Sequence, residues 1–198
     1  MAVTRSMSKP KNWPNALPYL SQPQHAKEVT EEQLLILHSK PKPFSIPRIT
    51  SQQTLTPCQL VKIQAIKDSS HPASGQFGLF ATQNLKPGTF ILPYLGRVHP
   101  SSATDSTSDY DIWLDRETDL AVDAARSGNE GRFVNDYRGI STKANAEFET
   151  VWCERWGELC IGIWVLGGKK AEGIKKGTEI LVSYGKGFWG NRRGDDTG

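Results

Sequence analysis

The chain lacks the features that mark membrane and secreted proteins. None of its 198 residues lies in an apolar run that approaches the roughly 18 residues needed to span a bilayer. The first residues, MAVTRSMSKPKNWP, also lack the apolar centre of a signal peptide. These absences predict an intracellular protein, in the nucleus or the cytoplasm, with no membrane partner.

Cysteine is scarce, and its spacing is not that of a zinc site. Cys58, Cys153 and Cys160 are odd in number, and no two of them form a C-x-x-C pair. The sequence therefore predicts no bound metal. Cys153 and Cys160 can face each other across a hairpin, where a reducing compartment favours free thiols over a disulfide.

Strong charge is also missing. The net charge is only +3, whereas nucleic-acid-binding domains carry a clustered basic stripe. The densest basic pairs, Lys169-Lys170 and Lys175-Lys176, lie on either side of Gly173 and indicate a solvated turn. No direct nucleic-acid binding is predicted. A groove for a basic peptide needs local acidity instead, and one region supplies it: Asp105, Asp109, Asp111, Asp115, Glu117 and Asp119.

The composition divides the chain into an arm, a domain and a tail. Eight prolines punctuate residues 1–58, and proline prevents long regular elements. The exception is a short helix near 30–39, because Thr30 and Gln33 can form a capping box. This arm is expected to pack on the domain or to be partly disordered. Residues 59–189 are the predicted domain, and residues 190–198 are a polar tail.

Short strands dominate after residue 58. Residues 61–66 alternate apolar and polar side chains, and residues 154–157 have the composition of a hairpin turn. Pro93 interrupts an apolar run at 91–98, which places that strand at an edge or over a bulge. Two Lys-x-Gly turns, at 86–88 and 175–177, indicate two similar hairpin corners. With a single helical turn expected, around 127–134, the pattern predicts a mostly β fold.

The stretch from 123 to 148 is irregular in sequence. Glycine and asparagine interrupt it repeatedly, as in a surface connector, yet it carries Phe133, Val134, Tyr137 and Phe148. A plain connector with a helical turn is one interpretation. A buried, hydrogen-bonded site is the other.

Three segments then match one known family in order. They are GQFGLFAT at 75–82, GNEGRFVN at 128–135 followed by NAEF at 145–148, and IKKGTEILVSYG at 174–185. The chain from about 59 to 189 resembles a SET domain, the fold of protein-lysine methyltransferases that use S-adenosylmethionine. The resemblance implies several short-stranded sheets with a pseudoknot-like core.

The resemblance also implies the roles of individual residues. Tyr184 is expected to place its hydroxyl at the reacting amine and methyl group, with Tyr94 near the lysine channel as a second catalytic residue. Their plainer alternatives are a buried strand-end tyrosine and a core aromatic. The residues expected to bind the cofactor are Phe77, Gly78, Phe80, Asn135, Asp136, Tyr184 and Trp189. The expected channel residues are Phe148, Val182 and Phe188. Trp189 has a plainer alternative as an anchor of the tail.

The chain departs from the family at three places. Asp136 stands where the family commonly has histidine, Gln76 replaces the first glycine of a G-x-G motif, and residues 137–143 are an insert before Asn145. One hypothesis is an active methyltransferase whose substrate is a protein or peptide such as a histone tail. A second is a catalytically inactive SET-like module that binds proteins. A third is an unrelated β domain that binds peptide or sugar.

Overall fold

The computed structural model describes residues 8–42, 45–168 and 171–184. One α-helix of these residues, α1, spans Glu31–Leu37, and three 3₁₀ helices span Ser51–Thr54, Ser101–Ala103 and Glu130–Phe133. The strands are β1 Gln24–His25, β2 Arg48–Ile49, β3 Val61–Ala65, β4 Phe77–Ala81, β5 Phe90–Tyr94, β6 Arg97–His99, β7 Asp111–Asp115, β8 Leu120–Asp123, β9 Asn135–Asp136, β10 Ala146–Cys153, β11 Glu158–Val165 and β12 Leu181–Val182. The mostly β prediction is confirmed. Within the described ranges, no helix is long and apolar enough to cross a membrane.

The strands form several small sheets. One has the order β1-β6-β8-β7 and another the order β2-β10-β11-β5, and two further pairs are β3-β4 and β9-β12. The β10-β11 hairpin turns where it was predicted, with Gly157 at a φ of 64° that suits glycine. Pro93 lies in β5 at the edge of its sheet, a position that tolerates proline because one side of the strand has no neighbour to pair with.

The core follows the alternation read from the sequence. In β3, Val61 and Ile63 are buried while Lys62 and Gln64 face solvent. All five residues of β5 are buried, as expected of a strand packed on both faces. This apolar cluster also takes in Leu79 of β4 and Ile163 of β11. It gives the neighbouring loops a rigid support.

The described part of the arm packs on the domain. The capping box of α1 forms as predicted. The Gln33 backbone nitrogen donates to Thr30 Oγ1 at 3.2 Å, and the Thr30 backbone nitrogen donates to Gln33 Oε1 at 3.0 Å. Strands β1 and β2 extend two sheets as parallel neighbours of β6 and β10. The arm therefore covers two sheet edges that would otherwise expose unpaired backbone groups.

The two Lys-x-Gly corners lie side by side. Leu85 and Ile174, which precede them, exchange two backbone hydrogen bonds of 2.8 and 2.9 Å. Gly88 and Gly177 have φ values of 71° and 82°, which explains glycine at both turns. Lys169 and Lys170, predicted to belong to a solvated turn, lie outside the described residues.

Candidate active site

The central irregular stretch is held by a buried network of hydrogen bonds. Asn129 caps the 3₁₀ helix Glu130–Phe133 by accepting from the Gly131 nitrogen at 3.3 Å. Its side chain also accepts from the Leu95 nitrogen at 3.1 Å and donates to the Pro93 carbonyl at 2.8 Å. Residues 127–136 of the stretch therefore form a largely buried, hydrogen-bonded segment rather than a plain connector, and they contain the predicted helical turn, whereas residues 141–143 are exposed.

This segment meets the end of the domain in a parallel pair of strands. Asn135 and Asp136 of β9 pair with Leu181 and Val182 of β12. A cavity of about 540 Å³ opens beside the pair, within the size range of sites for small molecules. Four of the predicted site residues line it: Phe77, Asn135, Asp136 and Tyr184.

The other predicted residues lie near this cavity or outside the described ranges. Gly78 and Phe80 follow Phe77 in β4 but are not part of the cavity wall. Neither Phe148 nor Val182 lines the cavity: Val182 belongs to the buried core, and Phe148 packs against that core. Trp189, predicted at the cofactor, and Phe188, predicted at the channel, lie outside the described residues.

Asn135 is oriented by a carboxylate. Its Nδ2 donates to Glu179 Oε1 at 2.8 Å, and it also lies 3.4 Å from the Phe77 carbonyl oxygen. A carboxylate only accepts, so the amide NH₂ of Asn135 has to face Glu179. Within the described residues, Asn135 Oδ1 accepts no hydrogen bond. The side chain therefore offers an acceptor at the cavity.

The glycine at position 78 makes room for the same carboxylate. A Cβ atom built on Gly78 would overlap Glu179 Oε1, and it would also crowd the ring of Phe80. Glu179 could not reach Asn135 past a larger residue at this position. The second glycine of the motif thus contributes to the site through Glu179.

Asp136 joins the insert to the end of the domain. Its Oδ2 accepts from the Tyr184 backbone nitrogen at 2.7 Å and from the Arg138 guanidinium at 2.8 Å, while Oδ1 accepts from the Arg138 nitrogen at 2.9 Å. The side chain of Asp136 is only 4% exposed. A carboxylate suits this position because it can accept from these three donors, which an imidazole could not do.

Tyr184 presents a neutral hydroxyl. That hydroxyl donates to the Val134 carbonyl at 2.6 Å. Burial, and then the charge of Asp136, raise the pKa of Tyr184 above its ordinary value. The phenol therefore stays protonated at neutral pH, and its oxygen remains able to accept a hydrogen bond.

Tyr94 is both a core aromatic and a neighbour of Tyr184. Its side chain is buried, and its hydroxyl donates to the Tyr110 carbonyl at 2.7 Å. Its ring meets the ring of Phe148 edge to face, with centroids 5.6 Å apart. Burial, with a smaller contribution from Tyr184, raises the pKa of Tyr94 well above its ordinary value. Tyr94 and Phe148 therefore form an aromatic pair on the core.

Several residues of the cavity wall were not predicted. They are Phe133 at the end of the central 3₁₀ helix and four residues from loops and the insert: His71, Tyr110, Arg138 and Ile140. Phe133 lies within the family motif at 128–135, whereas the sequence around the other four gives no periodic or motif signal. Only their position in the fold reveals them.

Arg132 also lines the cavity, and it binds the backbone of a neighbouring segment. Its Nε donates to the Ala124 carbonyl at 3.0 Å, and its guanidinium stacks 4.3 Å from the centroid of the Tyr110 ring. Glu130 instead accepts from the Tyr19 hydroxyl and the Cys58 nitrogen, each at 2.9 Å.

The cysteines are free thiols. Cys153 and Cys160 are buried on the two strands of the β10-β11 hairpin. A hydrogen bond between the two thiols lowers the pKa of Cys153 to about 7, and the same bond together with burial raises the pKa of Cys160. Among the described residues, no group of three His, Cys, Asp or Glu side chains is placed to hold a metal ion.

The sequence profile of the SET domain matches residues 76–185, which is more than half of the chain. The match contains the central segment, the insert and the closing segment that together form the cavity. The chain belongs to the SET-domain family. The hypothesis of an unrelated β domain is therefore wrong.

Solved structures of a multisubunit complex share the fold. The crystal structure of the Chaetomium thermophilum polycomb repressive complex 2 is 23% identical with a TM-score of 0.51, covering 68% of this chain and 16% of that chain. A humanised mutant of that complex bound to the inhibitor GSK343 is 22% identical with a TM-score of 0.52, covering 68% and 16%. The apo complex in an autoinhibited state is 20% identical with a TM-score of 0.51, covering 72% and 18%.

The chain thus spans less than a fifth of the matched chains in these complexes. At such identity the likeness shows the SET fold alone. No curated protein sequence matches this chain.

Proposed function

We propose that the protein is an S-adenosylmethionine-dependent protein-lysine N-methyltransferase. The observation that carries the proposal is Tyr184, whose neutral hydroxyl is fixed on the Val134 carbonyl beside the Asn135 acceptor. Membership of the SET-domain family supports the same activity. Tyr184 stands at the position that the resemblance assigns to the catalytic tyrosine.

The residues around the cavity fit S-adenosylmethionine. Asn135 Oδ1, which has no partner among the described residues, suits the ammonium group of its amino-acid portion. Phe77 is 36% exposed as a residue and offers an apolar surface at the same cavity. Asn135, Asp136, Phe77 and Tyr184 would hold the molecule, with Gly78 and Phe80 supporting them and Trp189 as a further predicted contact. When bound, this cofactor supplies an electrophilic methyl group on a sulfonium.

The chain's part in the reaction is to present a neutral lysine. Lysine titrates near 10.4, so only about one amine in a thousand is neutral near pH 7.4. The buried side chains of Tyr94 and Val182, with the half-buried Phe148, form a mostly apolar surface that disfavours an ammonium, which lowers the pKa of a lysine placed there.

Tyr184 then orients the amine. Because its own proton is donated to the Val134 carbonyl, its oxygen can accept an N–H of the lysine amine. The nitrogen lone pair is thereby directed away from the hydroxyl. Holding the reacting groups in line supplies much of the reduction in barrier, without a nucleophilic side chain or a metal.

The proposed substrate is a protein or peptide, and a histone tail in the nucleus is one candidate. Asp109 lines the cavity, and other acidic residues follow it in the chain, which suits a basic peptide. Phe148 lacks a hydroxyl that could hold an ordered water at the channel. This residue favours a product that carries more than one methyl group.

The alternative is a catalytically inactive SET-like module that binds proteins, suggested by Asp136 and Gln76. The contacts of Asp136 argue against it, because its carboxylate supports the backbone of Tyr184. The departure from the family therefore leaves the tyrosine held in place.

The test is transfer of a radiolabelled methyl group from S-adenosylmethionine to histones and to whole-cell extract, with Tyr184→Phe as the matched variant. Wild type is expected to label a protein, and Tyr184→Phe to slow transfer by about a hundredfold or more. Equal labelling by both proteins would overturn the role of Tyr184. Cofactor binding without transfer to any protein would favour the inactive module.

A further inference from the structure

A chain of three side chains joins two residues of the cavity wall, His71 and Asn135, through Glu179. His71 Nε2 lies 3.1 Å from Glu179 Oε2. The other oxygen of this carboxylate, Oε1, accepts from Asn135 Nδ2 at 2.8 Å. The side chains of His71 and Glu179 are only 8% and 9% exposed. The three residues come from a loop before β4, the segment before β12, and β9.

The hydrogen bonds fix the tautomer of His71. The Ala73 backbone nitrogen donates to His71 Nδ1 at 3.0 Å, so Nδ1 is an acceptor and carries no proton. A neutral imidazole has one N–H, which must then be on Nε2 and is donated to Glu179. His71 therefore acts as a neutral donor in this arrangement.

Each oxygen of Glu179 has a different partner. His71 occupies Oε2, which leaves Oε1 to receive the amide of Asn135. Without the bond from His71, the carboxylate could rotate about its terminal torsion, which has a broad energy profile. The amide of Asn135 would then lose its shorter hydrogen bond, 2.8 Å to Glu179, and keep only the 3.4 Å contact with the Phe77 carbonyl, so its orientation would be held less firmly.

We propose that His71 is a positioning residue for cofactor binding. It holds Glu179, and Glu179 turns Asn135 so that Oδ1, an acceptor, is the atom available to a cationic ligand. Neither the SET profile match, which begins at residue 76, nor the family motifs include His71. The proposal rests on the proposed function for the identity of the ligand, but not for the chain of hydrogen bonds.

Two substitutions separate this role from a purely local one. Asn at position 71 retains an acceptor for the Ala73 nitrogen, since asparagine bonds the backbone two residues on, but it is too short to reach Glu179. Gln at position 71 places its side-chain NH₂ about where His71 has Nε2, so it retains a donor for Glu179. His71→Asn thus keeps the turn and loses the bond to Glu179, whereas His71→Gln keeps that bond.

The first measurement is S-adenosylmethionine affinity by calorimetry, with methyl-transfer kinetics at varied cofactor and varied peptide. His71→Asn is expected to weaken binding about tenfold, from the loss of a hydrogen bond to a charged group. The effect should appear in the KM for the cofactor and not in the KM for the peptide. His71→Gln is expected to restore most of the affinity.

The second measurement needs no cofactor. The side-chain NH₂ of Asn135, identified by its loss in Asn135→Asp, should move in the ¹⁵N–¹H spectrum of His71→Asn and return towards wild type in His71→Gln. Unmoved Asn135 resonances in His71→Asn would overturn the proposal, as would unchanged cofactor affinity in that variant. If wild type bound no cofactor, the proposed function would fail, while the spectra would still decide the role of His71.

Discussion

Asp136 Oδ2 lies 2.7 Å from the backbone nitrogen of Tyr184. The two residues are separated by 48 positions in the chain. The same carboxylate binds Arg138 of the insert through its backbone and its guanidinium. Two departures from the family, the aspartate and the insert, are therefore parts of one arrangement that holds the end of the domain against its centre.

This arrangement predicts that restoring the family's residue will harm the protein. Asp136→His removes the acceptor of Tyr184 and leaves the Arg138 guanidinium without its carboxylate. We expect a loss of about 2–3 kcal/mol in the free energy of unfolding, measured by urea titration. Asp136→Asn, the matched control, keeps one acceptor and should lose less. A histidine variant that is more stable or more active than wild type would contradict the role given to Asp136.

The glycine motif supports a second prediction. Gly78→Ala places a methyl group against Glu179 Oε1, so the carboxylate has to leave Asn135. Cofactor affinity should fall about tenfold, as expected when a hydrogen bond to a charged group is lost.

The control for Gly78→Ala is Gly88→Ala, at a turn outside the cavity wall. Gly88 has a φ of 71°, and a Cβ there meets nothing within 4 Å. It should cost about 1 kcal/mol of backbone strain and leave cofactor affinity nearly unchanged. Equal effects of the two substitutions on affinity would refute the link from Gly78 to Glu179.

The contributions of the Tyr94 ring and the Tyr94 hydroxyl can be tested separately. Tyr94→Phe keeps the ring against Phe148 but leaves the Tyr110 carbonyl without its donor. A buried acceptor without a partner costs about 1–3 kcal/mol, which should appear in the free energy of unfolding. If Tyr94 also acts in the lysine channel, the kcat of Tyr94→Phe should fall below that of a variant that is equally destabilised by a substitution outside the channel. Ile91→Val, a core substitution on the same strand, supplies that comparison.

Glu130 predicts a dependence of stability on pH. Burial raises its pKa in the folded protein above the ordinary value, so the folded state holds this proton more tightly than the unfolded state. Its contribution is therefore most favourable at low pH and is lost as the pH rises through the raised pKa.

Glu130→Gln tests that sign. The glutamine oxygen can accept from the Cys58 nitrogen and its NH₂ can donate to the Tyr19 oxygen, so both contacts survive without a titrating group. The unfolding free energy of the variant minus that of wild type should rise from pH 4.5 to pH 7.5, measured by urea titration at each pH. A difference that falls over the same interval would contradict the raised pKa.

Local rules account for the elements that could be predicted from the sequence. The capping box of Thr30 and Gln33, the alternation in β3 and the turn at Gly157 each depend on a few neighbouring residues. Family motifs located Asn135 and Tyr184, and the structure brings both to one cavity.

The remaining wall of the site could not be predicted because its residues converge only in the folded chain. His71 and Glu179 are separated by 108 positions, and the tautomer of His71 depends on a turn that no motif describes. The role of Asp136 was open for the same reason, since its partner Tyr184 lies far along the chain. Residues whose partners are distant in sequence give no local signal.

Identification of the modified atom tests the central claim most directly. The full chain, S-adenosylmethionine and a protein extract would be incubated together, and the products analysed by fragmentation mass spectrometry beside a reaction with Tyr184→Phe. The account predicts methyl groups on the ε-amine of lysine side chains, present with wild type and nearly absent with the variant. Methylation confined to another type of side chain, or the same methylated lysines with both proteins, would contradict it.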